Sequence, residues 1–130
     1  MAQVFISYSR KDEAFAQRLA AALIEQKREV WLDRKDIEFT ADWKQRVLRG
    51  IEGANAFVCV VSPDYAASAV CREEAGHAVA HNKRLVPLLR RPVDFGALHP
   101  AIAAINVLPF AESDDFAAGV DKLVKALDTD

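Results

Sequence analysis

Glu74 lies four residues after Val70, three after Cys71 and four before Ala78, so helical spacing puts its carboxylate on a stripe of small and apolar residues. A carboxylate at the edge of a core-facing stripe is a candidate functional acid. The plainer alternative is a helix glutamate that reaches solvent or pairs with Lys44 or Arg72, because structural ion pairs perturb acids as well. Its neighbour Glu73 faces elsewhere. His77 and His81 have the i, i+4 spacing of a helical metal pair, but spacing alone supplies no third ligand, so they read as surface histidines and no metal is assigned. Cys71 stands near a helix amino terminus, where a thiolate is favoured, yet no general base can be paired with it and packing is its simpler role. Neither G-x-x-x-x-G-K-[ST] nor G-x-G-x-x-G occurs among the five glycines, which excludes the common phosphate-binding loops. A phosphoryl-accepting receiver would need magnesium-binding carboxylates at the ends of its first and third strands, where this chain has Ser7-Tyr8-Ser9 and Ser62.

These residues have to be positioned by one ordinary domain, since 130 residues fit a single core, here taken as 1–130. With 52% apolar and 28% charged residues, the composition is that of a globular fold rather than a disordered chain. A formal net charge of -2 disfavours nucleic acid as a partner. The apolar runs are strand-sized and the start of the chain has no signal-peptide pattern, so neither membrane insertion nor export is expected. Two cysteines are too few for a disulfide scaffold, and the apolar surroundings of Cys59 suit a reduced thiol, which points to the cytoplasm.

Strand and helix patterns alternate along the chain. Val4 to Tyr8 reads as a first strand, and Phe15, Leu19 and Leu23 mark an amphipathic helix with Asp12 at its N-cap. That helix should end near Gln26-Lys27-Arg28, where the absence of glycine predicts mild backbone strain on a basic residue. Val30-Trp31-Leu32 is a second strand, and Trp43, Val47 and Ile51 define a second helix closed by Gly53. Ala56 to Val61 is apolar throughout, as expected of a central strand covered on both faces, and Ser62-Pro63 ends it. Ser68 caps a helix reaching about His81, and Arg84 to Leu89 is a fourth strand whose Pro87 argues for a place near an edge. Ile105 to Leu108 is a weaker fifth strand, and Asp115 to Leu127 is a last helix. The alternation implies a parallel sheet with right-handed crossovers, whose ligands bind beyond the carboxyl ends of the strands. That rule selects Tyr8, Ser9 and Arg10 after the first strand, Asp33 to Thr40 after the second, and Ser62 to Glu74 after the third.

Three of these stretches together resemble the Toll/interleukin receptor (TIR) domain family, over nearly the whole chain. Val4-Phe5-Ile6-Ser7-Tyr8-Ser9-Arg10-Lys11-Asp12 resembles its first box. Val30-Trp31-Leu32-Asp33 resembles its second strand and the start of its BB loop. Val61-Ser62-Pro63-Asp64-Tyr65, with Ser68 to Glu74, resembles its third-strand and following helix motif. Thr40-Ala41-Asp42-Trp43 and Val70-Cys71-Arg72-Glu73-Glu74 are most similar to bacterial members found at the amino terminus of larger proteins, which implies further domains after Asp130.

The resemblance implies an α/β, flavodoxin-like fold, a five-stranded parallel sheet with helices on both faces. It also implies two functions. In the first, the domain cleaves the nicotinamide–ribose bond of NAD, giving nicotinamide and ADP-ribose or cyclic ADP-ribose, in bacterial defence or signalling. Glu74 matches the catalytic glutamate. Tyr8, Ser9, Arg10, Trp31, Asp33, Ser62, Val70 and Cys71 would border the substrate, and Arg34, Lys35, Asp36, Ile37, Glu38, Phe39 and Thr40 would form a lid and assembly loop. NAD is then a substrate, with no metal or cofactor required. In the second, the domain is a non-catalytic module that associates with other TIR domains, and the two functions are compatible. Three departures stand out. Val70 replaces a frequent Trp, Phe39-Thr40 replaces a common Pro-Gly, and Ser9 stands where some active members have Arg, which would shift a phosphate contact to Arg10. Trp43 shares a helical stripe with Val47 and Ile51 and is expected in the core.

Overall fold

The structure, a computed structural model, describes residues 3–32 and 41–129. The chain runs through β1 (Val4–Ser7), a 3-10 turn at Arg10–Asp12, α1 (Glu13–Glu25), β2 (Val30–Leu32), α2 (Ala41–Gly53) and β3 (Ala56–Val61). It continues through α3 (Pro63–Ala67), α4 (Ala69–Ala80), β4 (Arg84–Leu89), a 3-10 turn at Phe95–Ala97, α5 (Pro100–Ala103), β5 (Leu108–Pro109) and α6 (Phe116–Asp128). All four strand pairings are parallel and the order is β2-β1-β3-β4-β5, the α/β arrangement expected from the alternating pattern.

Strand alternation divides the interior into two cores. Val4, Ile6, Tyr8, Val58 and Val60 face Phe15, Leu19 and Leu23 of α1 and Val120 and Leu123 of α6. Phe5, Phe57, Cys59 and Val61 face Val47 and Ile51 of α2, Tyr65 of α3, and Cys71, Ala75 and Ala78 of α4. On this second face, Trp31, Phe5 and Phe57 stack across three neighbouring strands, with ring centroids 5.2 and 5.6 Å apart. Trp43 packs against the same core, as its helical stripe implies.

Several expectations need correction. Asp12 occupies the N-cap position of α1 but makes no capping bond with its side chain. Its carboxylate instead accepts from Ser62 Oγ at 2.7 Å and from Arg91 Nη2 at 2.7 Å, and Ser9 Oγ caps the 3-10 turn by accepting from the Lys11 amide. Ser62-Pro63 ends β3 and also begins a helix: Ser62 Oγ accepts from the Tyr65 amide and Pro63 fills a first-turn position that needs no N–H. His99-Pro100 opens α5 in the same way, with His99 Nδ1 accepting from the Ala101 amide. The fifth strand is shorter than its apolar pattern suggests. The amides of Ala104 and Ile105 bond back to Pro100 and Ile102, so this stretch is satisfied as a turn and only Leu108 and Pro109 reach the sheet. Because β5 pairs from Leu88 onward, residues 84–87 form an edge, which accommodates Pro87.

Two backbone positions lead to stability predictions. Lys27 closes α1 with φ 63, the left-handed conformation anticipated there. Lys27→Gly should relieve about 1–2 kcal/mol of steric cost at the expense of some unfolded-state entropy, for a net gain of about 0.5–1 kcal/mol. A higher urea midpoint at unchanged slope is the expected readout. Gly119 of α6 lies against the buried ring of Phe110, where an added Cβ would come within 2.7 Å of Cζ. Phe15 and Phe116 hold that ring edge-on from two sides, at 5.3 and 5.7 Å. Overpacking of about 1–3 kcal/mol therefore outweighs the roughly 1 kcal/mol of helix propensity that alanine adds, and Gly119→Ala should lower the melting temperature.

Candidate active site

The sheet changes direction of travel between β1 and β3, so its crevice opens at their carboxyl ends. Ser7 is the last residue of β1 and lies in register with Cys59 of β3. Its side chain follows Phe5 onto the α2–α4 face, fully buried. There Ser7 Oγ donates to Glu74 Oε1 at 2.7 Å and lies 2.9 Å from the Tyr65 hydroxyl. A serine hydroxyl has one proton, so with that proton on Glu74 the Tyr65 hydroxyl is the donor to Ser7. Burial pushes the Tyr65 phenol well above its usual range, which keeps it protonated for this task. The result is a chain of hydroxyls, from Tyr65 through Ser7, that ends on the Glu74 carboxylate.

Glu74 is 2% exposed, and the local sequence explains why it arrives there. Ser68 Oγ caps α4 by accepting from the Cys71 amide, which sets the helix phase. Cys71, Glu74, Ala75 and Ala78 then all point inward. Lys44 pairs with Glu73 and the Arg72 guanidinium donates to the Ala66 carbonyl, so these two cations serve partners other than the ones considered from sequence. Glu74 borders a shallow cleft of about 10 Å³, room for roughly one water, between α2 and α4, together with Lys44, Val47, Leu48, Val70 and Glu73. That volume is far below the roughly 300–1,000 Å³ of a typical small-molecule pocket. A wider groove, about 260 Å³ between α1 and α6, lies on the opposite face of the sheet and receives none of the candidate residues.

The other candidates divide into those near Glu74 and those held apart from it. Val70 is 37% exposed at the cleft, and Cys71 is buried in the core beside it. Tyr8 is not brought to this face. Strand alternation sends it to the α1–α6 core, where it is fully buried. Trp31 is on the correct face but pairs with Phe5, one side-chain row below Ser7. It lies under α2, where a Cβ on Gly50 would come within 2.9 Å of its ring. Ser62 is fully buried as the cap of α3 and the donor to Asp12. Ser9 is nearly buried in its own turn, and Arg10 is exposed. Asp33 and the expected lid, 34–40, lie outside the described residues.

Ser7 was not selected from sequence and Tyr65 only within the stretch Ser62 to Glu74, although a signal existed for Ser7: it is the one polar residue of β1, two positions after Phe5 and therefore on the same face. Cys59 and Cys71 are both buried and form no disulfide, and burial pushes the Cys59 thiol up, away from thiolate chemistry. For His77 and His81, spacing alone offered no third neighbour, and the fold brings one to them. Glu52 of α2 lies beside them, with Oε2 2.7 Å from His77 Nε2. Among the described residues, no helix is long and apolar enough to cross a membrane.

Comparison with known proteins places the fold. The TIR domain of the Toll-related receptor TRR-2 from Hydra magnipapillata superposes with a TM-score of 0.81 at 17% identity, covering 99% of this chain and 100% of that one. A TIR-STING receptor from C. gigas, in complex with 2',3'-cGAMP, gives 0.78 at 22% identity over 99% of this chain and 40% of its own. The heterodimer of the RPS4 and RRS1 TIR domains gives 0.72 at 14% identity over 98% of this chain and 96% of that one. At these identities the likeness is one of fold. Compared by sequence with curated proteins, the chain has no significant match. The family model described as TIR domain matches residues 4–124, from the start of β1 into α6, and the chain belongs to the TIR domain family.

Proposed function

We propose that this domain cleaves the nicotinamide–ribose bond of NAD, with Glu74 as the catalytic carboxylate and self-association as the trigger. The observation that carries the reading is the Glu74 carboxylate, buried at the carboxyl end of β1, oriented by Ser7 and bordering the α2–α4 cleft. The chemistry needs little more than a fixed anion. Nicotinamide leaves with the electron pair of the C–N bond, which neutralises its own positive charge. A carboxylate beside the ribose binds the hydroxyls and stabilises the oxocarbenium-like charge left on the sugar. Water then adds at the anomeric carbon and releases a proton to give ADP-ribose, or an adenine nitrogen adds to give the cyclic product.

The size of the cleft supports a requirement for assembly. About 10 Å³ is too little for any part of the dinucleotide, so binding needs the cleft to widen and further surface, which a neighbouring copy can supply. The RPS4–RRS1 TIR heterodimer is an example of such domains in association. A second reading, a non-catalytic TIR–TIR module, is favoured by the same narrowness and by the aliphatic Val70 at the cleft, where none of the described lining residues has a ring to stack on nicotinamide.

The test is NAD consumption with chromatography of the products, using the chain concentrated on a crowding surface. Wild type should turn NAD over, and Glu74→Gln, which keeps the shape of the side chain, should lose at least about 100-fold. No turnover by wild type with assembly confirmed by light scattering would assign the scaffold. Turnover retained by Glu74→Gln would remove Glu74 from the chemistry. Independently, Ser7→Ala removes the buried donor to Glu74 and the acceptor of the Tyr65 hydroxyl, and should destabilise the fold by about 1–3 kcal/mol in urea titration.

A further inference from the structure

The seam between α2 and α4 carries a second cluster, toward the carboxyl ends of both helices. His77 and His81 share one face of α4, with ring centroids 4.4 Å apart. Glu52 enters from α2, its Oε2 2.7 Å from His77 Nε2 and 3.9 Å from His81 Nε2. One ligand atom from each of the three lies within 4.8 Å of the others. We propose that Glu52, His77 and His81 form a binding site for a divalent transition metal of the zinc class, clamping α2 to α4.

Geometry and chemistry both support this. Bonds of about 2.0–2.1 Å in a tetrahedral site separate ligand atoms by roughly 3.3–3.4 Å. The distances of 2.7 and 3.9 Å bracket that value, so small rotamer changes in three partly exposed side chains would complete the geometry. Two imidazoles and one carboxylate are the donor set of sites that keep a fourth position for water, and imidazole selects zinc, copper or nickel over magnesium and calcium. Glu52 supplies the one carboxylate of the set, beside His77 Nε2. Arg49, one turn earlier on α2, also acts on Glu52 and opposes the cation electrostatically. The cluster is separate from Glu74: the cleft bordered by Glu74 is lined by Lys44, Val47, Leu48, Val70 and Glu73, and none of the three proposed ligands is among them.

The experiment is calorimetric titration of Zn²⁺, and separately of Ca²⁺, into the full chain, with melting temperature followed in parallel. Wild type should bind one Zn²⁺ and ignore Ca²⁺. At free zinc about 100-fold above the dissociation constant, the melting temperature should rise by roughly 10 °C. Glu52→Gln, His77→Ala and His81→Ala each alter a surface side chain, and each should weaken zinc binding by at least about 10-fold, since loss of even an outer partner of a ligand costs that much. Zinc affinity unchanged in all three variants would move the metal to Cys59, Cys71 or His99 and overturn the proposal. No saturable zinc binding, or calcium bound as tightly, would overturn it equally.

Discussion

β1 lies between β2 and β3, and its two-residue side-chain period governs both faces of the sheet. Val4, Ile6 and Tyr8 build the core under α1 and α6, while Phe5 and Ser7 face α2, α3 and α4. A register slip of one residue would exchange these sets, placing a hydroxyl in an apolar core and Tyr8 against α4. The stacked rings of Trp31, Phe5 and Phe57 oppose such a slip, since each aromatic pair adds about 0.5–1.5 kcal/mol beyond its burial. With Phe5 fixed in that row, Ser7 must project toward α4, and the Glu74 carboxylate has a donor waiting.

Two polar networks close the carboxyl ends of the strands. On one side, Tyr65, Ser7 and Glu74 join α3, β1 and α4. On the other, the Asp12 carboxylate takes Ser62 and Arg91, and Arg91 also reaches Asp64 at 2.9 Å. Asp12 is 6% exposed and Ser62 fully buried, so the partners matter chiefly because an unmatched buried group would be costly. The second network draws the segments after β1, β3 and β4 together above the sheet. It also accounts for residues that belong to the ligand-facing end by topology and yet serve the scaffold.

The same seam between α2 and α4 carries three kinds of contact along its length. Lys44 and Glu73 pair near the helix starts, the Glu74 cleft lies beside them, and Glu52 meets the two histidines near the helix ends. Surface ion pairs of the first kind contribute little energy. The packing of Val47 and Ile51 against the inward face of α4 therefore sets how closely the helices approach, and with it the width of the cleft.

Much of this was legible in the chain itself. Apolar periodicity identified the five strand regions and the three long helices around Leu19, Val47 and Leu123. The capping serine at 68 located α4, and the lack of glycine after α1 anticipated the left-handed Lys27. The stripe shared by Cys71, Glu74 and Ala78 identified the acid that the structure buries. Local chemistry determines such features, because periods, caps and breakers act within a few residues. Partners far apart in sequence were decided only by the tertiary structure. Ser7 and Glu74 are 67 positions apart, Asp12 and Arg91 are 79, and Glu52 and His77 are 25. A side chain's own spacing states which face it occupies, but only the packing of strands and helices determines what stands opposite.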